Sequence, residues 1–348
     1  MNKLILYPFT KKTVSLLYTI KQEHPTFFSN FMVYGLAPEA TKLKTVSEYN
    51  NRDYDLDISL VSVENIPLNE DNVVFMQVPF DETSELDRFT NSIVALLERH
   101  GKPVILDPSD LLGFCAKEEY INPDPSGFLV SRPMLNSINI PVIGVCAVFP
   151  FSDTSEITTS LKKYLGEELA VSTVYTGRCF KGWNVNHIDM DYLQTLSFEN
   201  RILYTNWYLN QVVSQEKSDI LIVEIPGSVM GLNNRVLLGG GEFPFIFTQA
   251  VGFDYIICSV PANDTATFSF AHLTKHLETR FGMRHISFHI SNQYFFFEKE
   301  SYNEGIPHML LSSRAIAERI AEARIADESL KIYNFLNDAD LPLWRKRK

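Results

Sequence analysis

Short apolar runs of strand length alternate with amphipathic helical patterns along this chain, and that alternation restricts the fold more than any other feature. In the first half the runs fall at 4–7, 31–36, 57–63, 73–78 and 104–106. Helical spacing covers 13–23 and 85–100, where Leu86, Phe89, Ile93, Leu96 and Leu97 share one face. Strands that alternate with helices are joined by crossovers and pair in parallel, so each half is read as a mostly parallel sheet covered by helices. Polar, proline-containing sequence around Ile121-Asn122-Pro123-Asp124-Pro125-Ser126-Gly127 interrupts the series and has turn chemistry. At 348 residues the chain exceeds what one hydrophobic core usually serves. The division is therefore placed at 1–135 and 136–348.

The second series opens with a strand at 141–145 and a helix at 154–165, followed by strands at 170–175, 219–224, 255–260 and 285–290. Helices are expected at 190–216, 265–281 and 311–330, the last with Ile316, Ile320 and Ala323 on one stripe. The expected class is α/β, with two Rossmann-like three-layer domains. The first is Rossmann-like or flavodoxin-like; the second resembles a phosphate-loop NTPase.

That last expectation rests on Gly144 to Glu156, which follows a buried strand and opens a helix. A phosphate loop uses glycines to turn backbone N–H groups toward phosphate, a lysine to neutralise it, and a hydroxyl residue for magnesium. Here Ala147 is aligned with the first glycine, Asp153 with the second and Thr154 with the lysine. The cation is gone and a carboxylate has arrived, which argues against ordinary ATP or GTP binding. What is left is a helix start that Ser152, Asp153, Thr154 and Ser155 are able to cap. A second strand ends in Glu224, followed by Ile225-Pro226-Gly227-Ser228. An acid at that place orients magnesium in phosphate-loop enzymes, which makes Glu224 the candidate catalytic residue. Gly144, Ser152, Asp153, Thr154, Ser155, Gly227 and Ser228 form the candidate binding region.

With these residues in view, the chain resembles a family of peptide maturation system proteins of clostridia and related bacteria. Their genes lie beside those for radical SAM enzymes and small ribosomally made precursor peptides. The resemblance is carried by Leu4-Ile5-Leu6-Tyr7-Pro8-Phe9, Ile140-Pro141-Val142-Ile143-Gly144-Val145 and 219–228. The second half also resembles the dethiobiotin-synthetase-like branch of phosphate-loop proteins, from whose Gly-Lys pair it departs at Asp153-Thr154. The resemblance implies an accessory or scaffold role in maturing a ribosomal peptide, with the precursor peptide or a radical SAM enzyme as partner. That role requires no cofactor. The alternative is a peptide-modifying enzyme that uses a nucleotide with Glu224 and magnesium.

Other patterns carry less. His187, Asp189 and Asp191 are spaced as metal ligands, but an aspartate before a helix is more often its N-cap, and no metal site is assigned. His285 and His289 lie four apart on an expected strand, too far to share one ion. Gly239-Gly240-Gly241 is read as a loop. Cys146 falls inside the degenerate turn and is expected to be buried. The formal charge of −11 opposes nucleic acid and anionic membranes, and the basic run Arg345-Lys346-Arg347-Lys348 is read as a solvated end. No apolar stretch reaches the length of a membrane span, and the four cysteines form no close pair. A cytoplasmic protein is the expectation, with a homo-oligomer left open.

Overall fold

In the computed structural model, the described residues are 2–23, 31–37, 58–78, 84–106, 123, 125–131, 134–149, 153–181, 183, 185–231, 239–263, 269–295, 308–326 and 331–336. They divide into two units. The first takes the described residues up to 106 together with Arg178–Val185, and the second takes the rest.

Leu4, Ile5, Leu6 and Tyr7 are all fully buried, so the strand β1 (Asn2–Tyr7) has two apolar faces, as a central strand of a parallel sheet must. It lies between β2 (Phe31–Leu36) and β4 (Val73–Gln77), with β3 (Ile58–Val61) and β5 (Val104–Ile105) at the edges. The order is β3-β2-β1-β4-β5 and every pairing is parallel. The helices are α1 (Lys11–Glu23) and α2 (Ser84–Arg99). Ile93 and Leu97 of α2 pack on Ile5, Tyr7 and Phe75, the face read from sequence. Phe9 leaves the end of β1 and lies over Gly35, where an added Cβ would be 2.5 Å from its ring. A 3-10 turn at Arg178–Phe180 lies against α1 and completes this unit.

The second unit contains a six-stranded parallel sheet in the order β13-β10-β9-β6-β8-β7. Its strands are β6 (Val142–Ala147), β7 (Val171–Val174), β8 (Ile220–Glu224), β9 (Tyr255–Val260), β10 (Ile286–Ile290) and β13 (Ile332–Tyr333). A separate antiparallel pair joins β11 (Gln293–Phe295) to β12 (His308–Leu310). Seven helices belong to the described residues of this unit. They are α3 (Pro125–Ser131), α4 (Thr154–Leu165), α5 (Met190–Thr195), α6 (Phe198–Glu216), α7 (Glu242–Ala250), α8 (Phe270–Phe281) and α9 (Ser313–Ala326). On one face of the sheet, Ile157, Leu161 and Leu165 of α4 pack on Ile143, Val145, Ile222 and Ile257. On the other, Phe270 of α8 meets Phe288 with ring centroids 5.0 Å apart. Both units are thus α/β with parallel sheets, as the alternation requires.

Several expectations change in detail. The helix expected at 190–216 is two helices, because Ser197 accepts from Asn200 N–H and starts α6 anew. The polar stretch read as a linker contains α3, whose Phe128 packs edge-on against Tyr204 at 5.3 Å, so it belongs to the second unit and the division falls earlier than 135. Gly239-Gly240-Gly241 caps a helix: all three have positive φ, and Gly241 at +82° is the N-cap of α7. His285 has φ +50° and precedes β10, so it does not share a strand with His289. Ser152, Cys115 and the basic run at 345–348 lie outside the described residues. Among the described residues no helix is long and apolar enough to cross a membrane.

Candidate functional site

At the C-terminal ends of β6, β8, β9 and β10 the chain brings together the residues that sequence reading assigned to a phosphate site. β6 leads to the turn and α4 follows it. The alignment made from sequence needs correction here. Ala147 to Asp153 is one residue longer than the interval between the motif's two glycines, so a strict count from Ala147 sets Asp153 at the lysine and Thr154 at the hydroxyl position.

Asp153 is the N-cap residue of α4, but its side chain makes no capping hydrogen bond. The carboxylate is fully buried and turns toward β10. Its Oδ2 accepts from Ser291 Oγ at 2.7 Å and lies 3.3 Å from His289 Nε2. The tautomer of His289 follows from its other nitrogen. Phe335 N–H donates to Nδ1 at 3.0 Å, so Nδ1 carries the lone pair and the ring proton sits on Nε2, facing Asp153. Ser291 Oγ in turn accepts from Gln293 N–H at 3.1 Å. The result is a chain of hydrogen bonds running from Gln293 through Ser291 and Asp153 to His289 and Phe335. It is not a hydrolytic triad, because serine and histidine both meet the same carboxylate oxygen and neither activates the other.

Glu224, at the end of β8, is also buried. Its Oε1 accepts from Thr154 Oγ1 at 2.8 Å and from Ser155 Oγ at 2.6 Å, and its Oε2 accepts from Thr176 N–H at 2.8 Å. The first turn of α4 is therefore fastened to β8 by two hydroxyls and to β10 through Asp153. Beyond Glu224 the chain stays on β6: Ile225 N–H donates to Val145 O at 2.8 Å and Val229 N–H to Ala147 O at 3.0 Å. Gly227 provides the positive φ of +79° that this path needs, and Ser228 is buried beside it.

Gly144 does not line the site. It lies inside β6, where an added Cβ would meet Ile256 Cδ1 at 2.7 Å, Phe253 Cδ1 at 2.8 Å and Ile225 Cδ1 at 3.0 Å, so its role is close packing. Cys146 is buried, as expected, and stands in register with Cys258 on β9. Hydrogen bonding to Cys146, reinforced by burial, raises the Cys258 thiol well above its ordinary range. Asp189 is the N-cap of α5 and accepts from Asp191 N–H at 2.9 Å and Tyr192 N–H at 3.2 Å. His187 is buried in a bridge to Tyr175, and no group of three metal-binding side chains occurs among the described residues.

A magnesium–nucleotide does not fit these residues. Positions 148–156 contain no lysine or arginine, Asp153 and Glu156 add two buried acids, and the Thr154 and Ser155 hydroxyls that a metal would need are committed to Glu224. Sequence reading does not find Ser291, Thr176 or Phe335, and it considers His289 only beside His285, as a pair too far apart to share an ion; nothing local points to Asp153 as its neighbour.

No family model matches the chain, and no curated protein matches it. Among solved structures, a DUF1611 family protein from Anabaena variabilis is similar over 95% of each chain, with 12% identity and a TM-score of 0.52. Chloroplast FtsY from Physcomitrella patens is similar over 71% of this chain and 72% of its own, with 10% identity and a TM-score of 0.34. The likeness to the first is one of overall α/β fold alone.

Proposed function

We propose that this chain is an accessory or scaffold protein in the maturation of a ribosomally synthesised peptide. It acts in the cytoplasm and holds the precursor peptide or its radical SAM enzyme on a fold that no longer hydrolyses nucleotides. The observation that carries the non-hydrolytic part is Asp153, buried where a phosphate loop holds its lysine and tied to Ser291 and His289. With Glu224 tied to Thr154, Ser155 and Thr176, the turn is an internal joint. The peptide-maturation part is supported by the sequence resemblance alone.

Thermal unfolding with 1 mM ATP or GTP and magnesium tests the first part. A ligand with a Kd of about 1 µM would stabilise the fold by about 4 kcal/mol, and the expected shift is zero. A shift that disappears in Glu224→Gln would instead support the nucleotide-dependent enzyme. Affinity capture with a ribosomally made precursor peptide and a radical SAM enzyme of the same organism tests the second part. Retention of neither would end the scaffold reading.

A further inference from the structure

The segment Lys331–Leu336 is seated in the second unit as a bound peptide would be. Its main chain adds to the edge of β10, with Phe288 paired to Ile332 and His289 to Tyr333, and Phe288 N–H donates to Lys331 O at 2.8 Å. The ladder is only two residues long, and side chains of the surrounding unit complete the hold on its backbone. Arg324 of α9 donates to Ile332 O from Nε at 2.9 Å and Nη2 at 2.6 Å, and His289 Nδ1 accepts from Phe335 N–H. Ile332 and Phe335 are fully buried, and Phe335 and Leu336 join the core formed by Ile157 and Leu161 of α4. Tyr333 lies under the Arg324 guanidinium, 5.2 Å from its ring centroid. Main-chain pairing for affinity and alternate side-chain pockets for selectivity is the way sheet edges bind peptides in trans.

We propose that Lys331–Leu336 is a displaceable strand, occupying in cis a groove that accepts an extended peptide with an aliphatic residue followed three positions later by a phenylalanine. His289 couples that groove to the turn before α4. One ring nitrogen reads the strand through Phe335 N–H and the other holds Asp153, so seating the strand fixes the proton on the side that faces the carboxylate. Release of the strand removes that constraint on His289 and loosens the first turn of α4. This coupling stands whether or not the chain serves peptide maturation.

The probe is a fluorescein-labelled peptide with the sequence of residues 331–336, titrated by anisotropy against the full chain carrying Phe335→Ala. The variant should bind it at least tenfold more tightly than the wild-type chain does. Absence of binding, in a variant whose own 331–336 amides exchange rapidly, overturns the groove; Ile332→Ala serves the same purpose if Phe335→Ala does not fold. For the coupling, amide exchange at residues 155–157 should accelerate at least tenfold in Phe335→Ala, a substitution of a residue whose side chain makes no hydrogen bond to Asp153. His289→Leu should accelerate both segments, and His289→Gln, which keeps a donor and an acceptor, should restore them. Acceleration confined to 331–336 in both Phe335→Ala and His289→Leu overturns the coupling.

Discussion

His289 Nε2 stands 3.3 Å from Asp153 Oδ2 with both side chains fully buried, which ties the edge of a parallel sheet to the start of the helix that follows its central strand. In a phosphate-binding turn that position serves a ligand. Here it serves the chain itself: the carboxylate accepts from Ser291 and faces the proton of His289.

Asp153→Ala should therefore destabilise the protein. It leaves Ser291 Oγ–H and His289 Nε2–H without the acceptor they share, in a site with no exposure. Leaving buried donors unsatisfied costs about 1–3 kcal/mol each, so a loss of about 2–6 kcal/mol is expected by urea unfolding. Asp153→Asn, which keeps one acceptor oxygen, should lose less.

Glu224 and the α4 hydroxyls should behave as one unit. Thr154→Ala and Ser155→Ala each remove a hydrogen bond to the same carboxylate oxygen. A double-mutant cycle between either and Glu224→Gln should give a coupling of about 0.5–3 kcal/mol. Additive losses would show that the bonds contribute nothing together.

Gly144→Ala distinguishes a packing glycine from a ligand-binding one. The added methyl group would lie 2.7 Å from Ile256 Cδ1 and 2.8 Å from Phe253 Cδ1, and overpacking of this kind costs about 1–3 kcal/mol. Differential scanning calorimetry should show a lowered Tm. Unchanged stability would mean that these side chains yield freely.

Tyr7 gives the alkaline limit of the first unit. Burial raises its phenol to about 12 and, among the described residues, its hydroxyl has no hydrogen-bond partner. A phenol titrating near 10 when unfolded and near 12 when folded contributes stability that is complete below pH 10. That contribution is lost as the pH rises from 10 toward 12. Tyr255 moves the same way, to about 12, through burial opposed by its bond to Ser287. Chemical unfolding between pH 9 and 12 should show the loss, and Tyr7→Phe should reduce it. At pH 7 Tyr7→Phe should be neutral or stabilising by about 1 kcal/mol, since it removes a buried unpaired hydroxyl.

The fold class was legible because its signal is local and repeated. Two-faced apolar runs such as Leu4 to Tyr7 and Ile220 to Val223 suit central strands of a parallel sheet, and the amphipathic segments between them suit its crossovers. Caps were partly legible for the same reason: Asp189 caps the helix that follows it, whereas Ser197, inside the stretch read as one helix, was not seen as a cap. Short elements whose hydrophobic residues find partners far along the chain were not. Nothing near Phe128 announces Tyr204, and nothing near Ile332 announces Phe288.

The sequence by itself determined that the turn between a buried strand and a helix carries an acid and no lysine. Only the tertiary structure decided what that acid does. Its partners, Ser291 and His289, lie more than 130 residues away, and hydrogen bonds between residues so distant leave no periodicity in either segment. They exist because parallel strands β6 and β10 both end at the same edge of one sheet, with β9 between them, which brings the start of α4 over the end of β10.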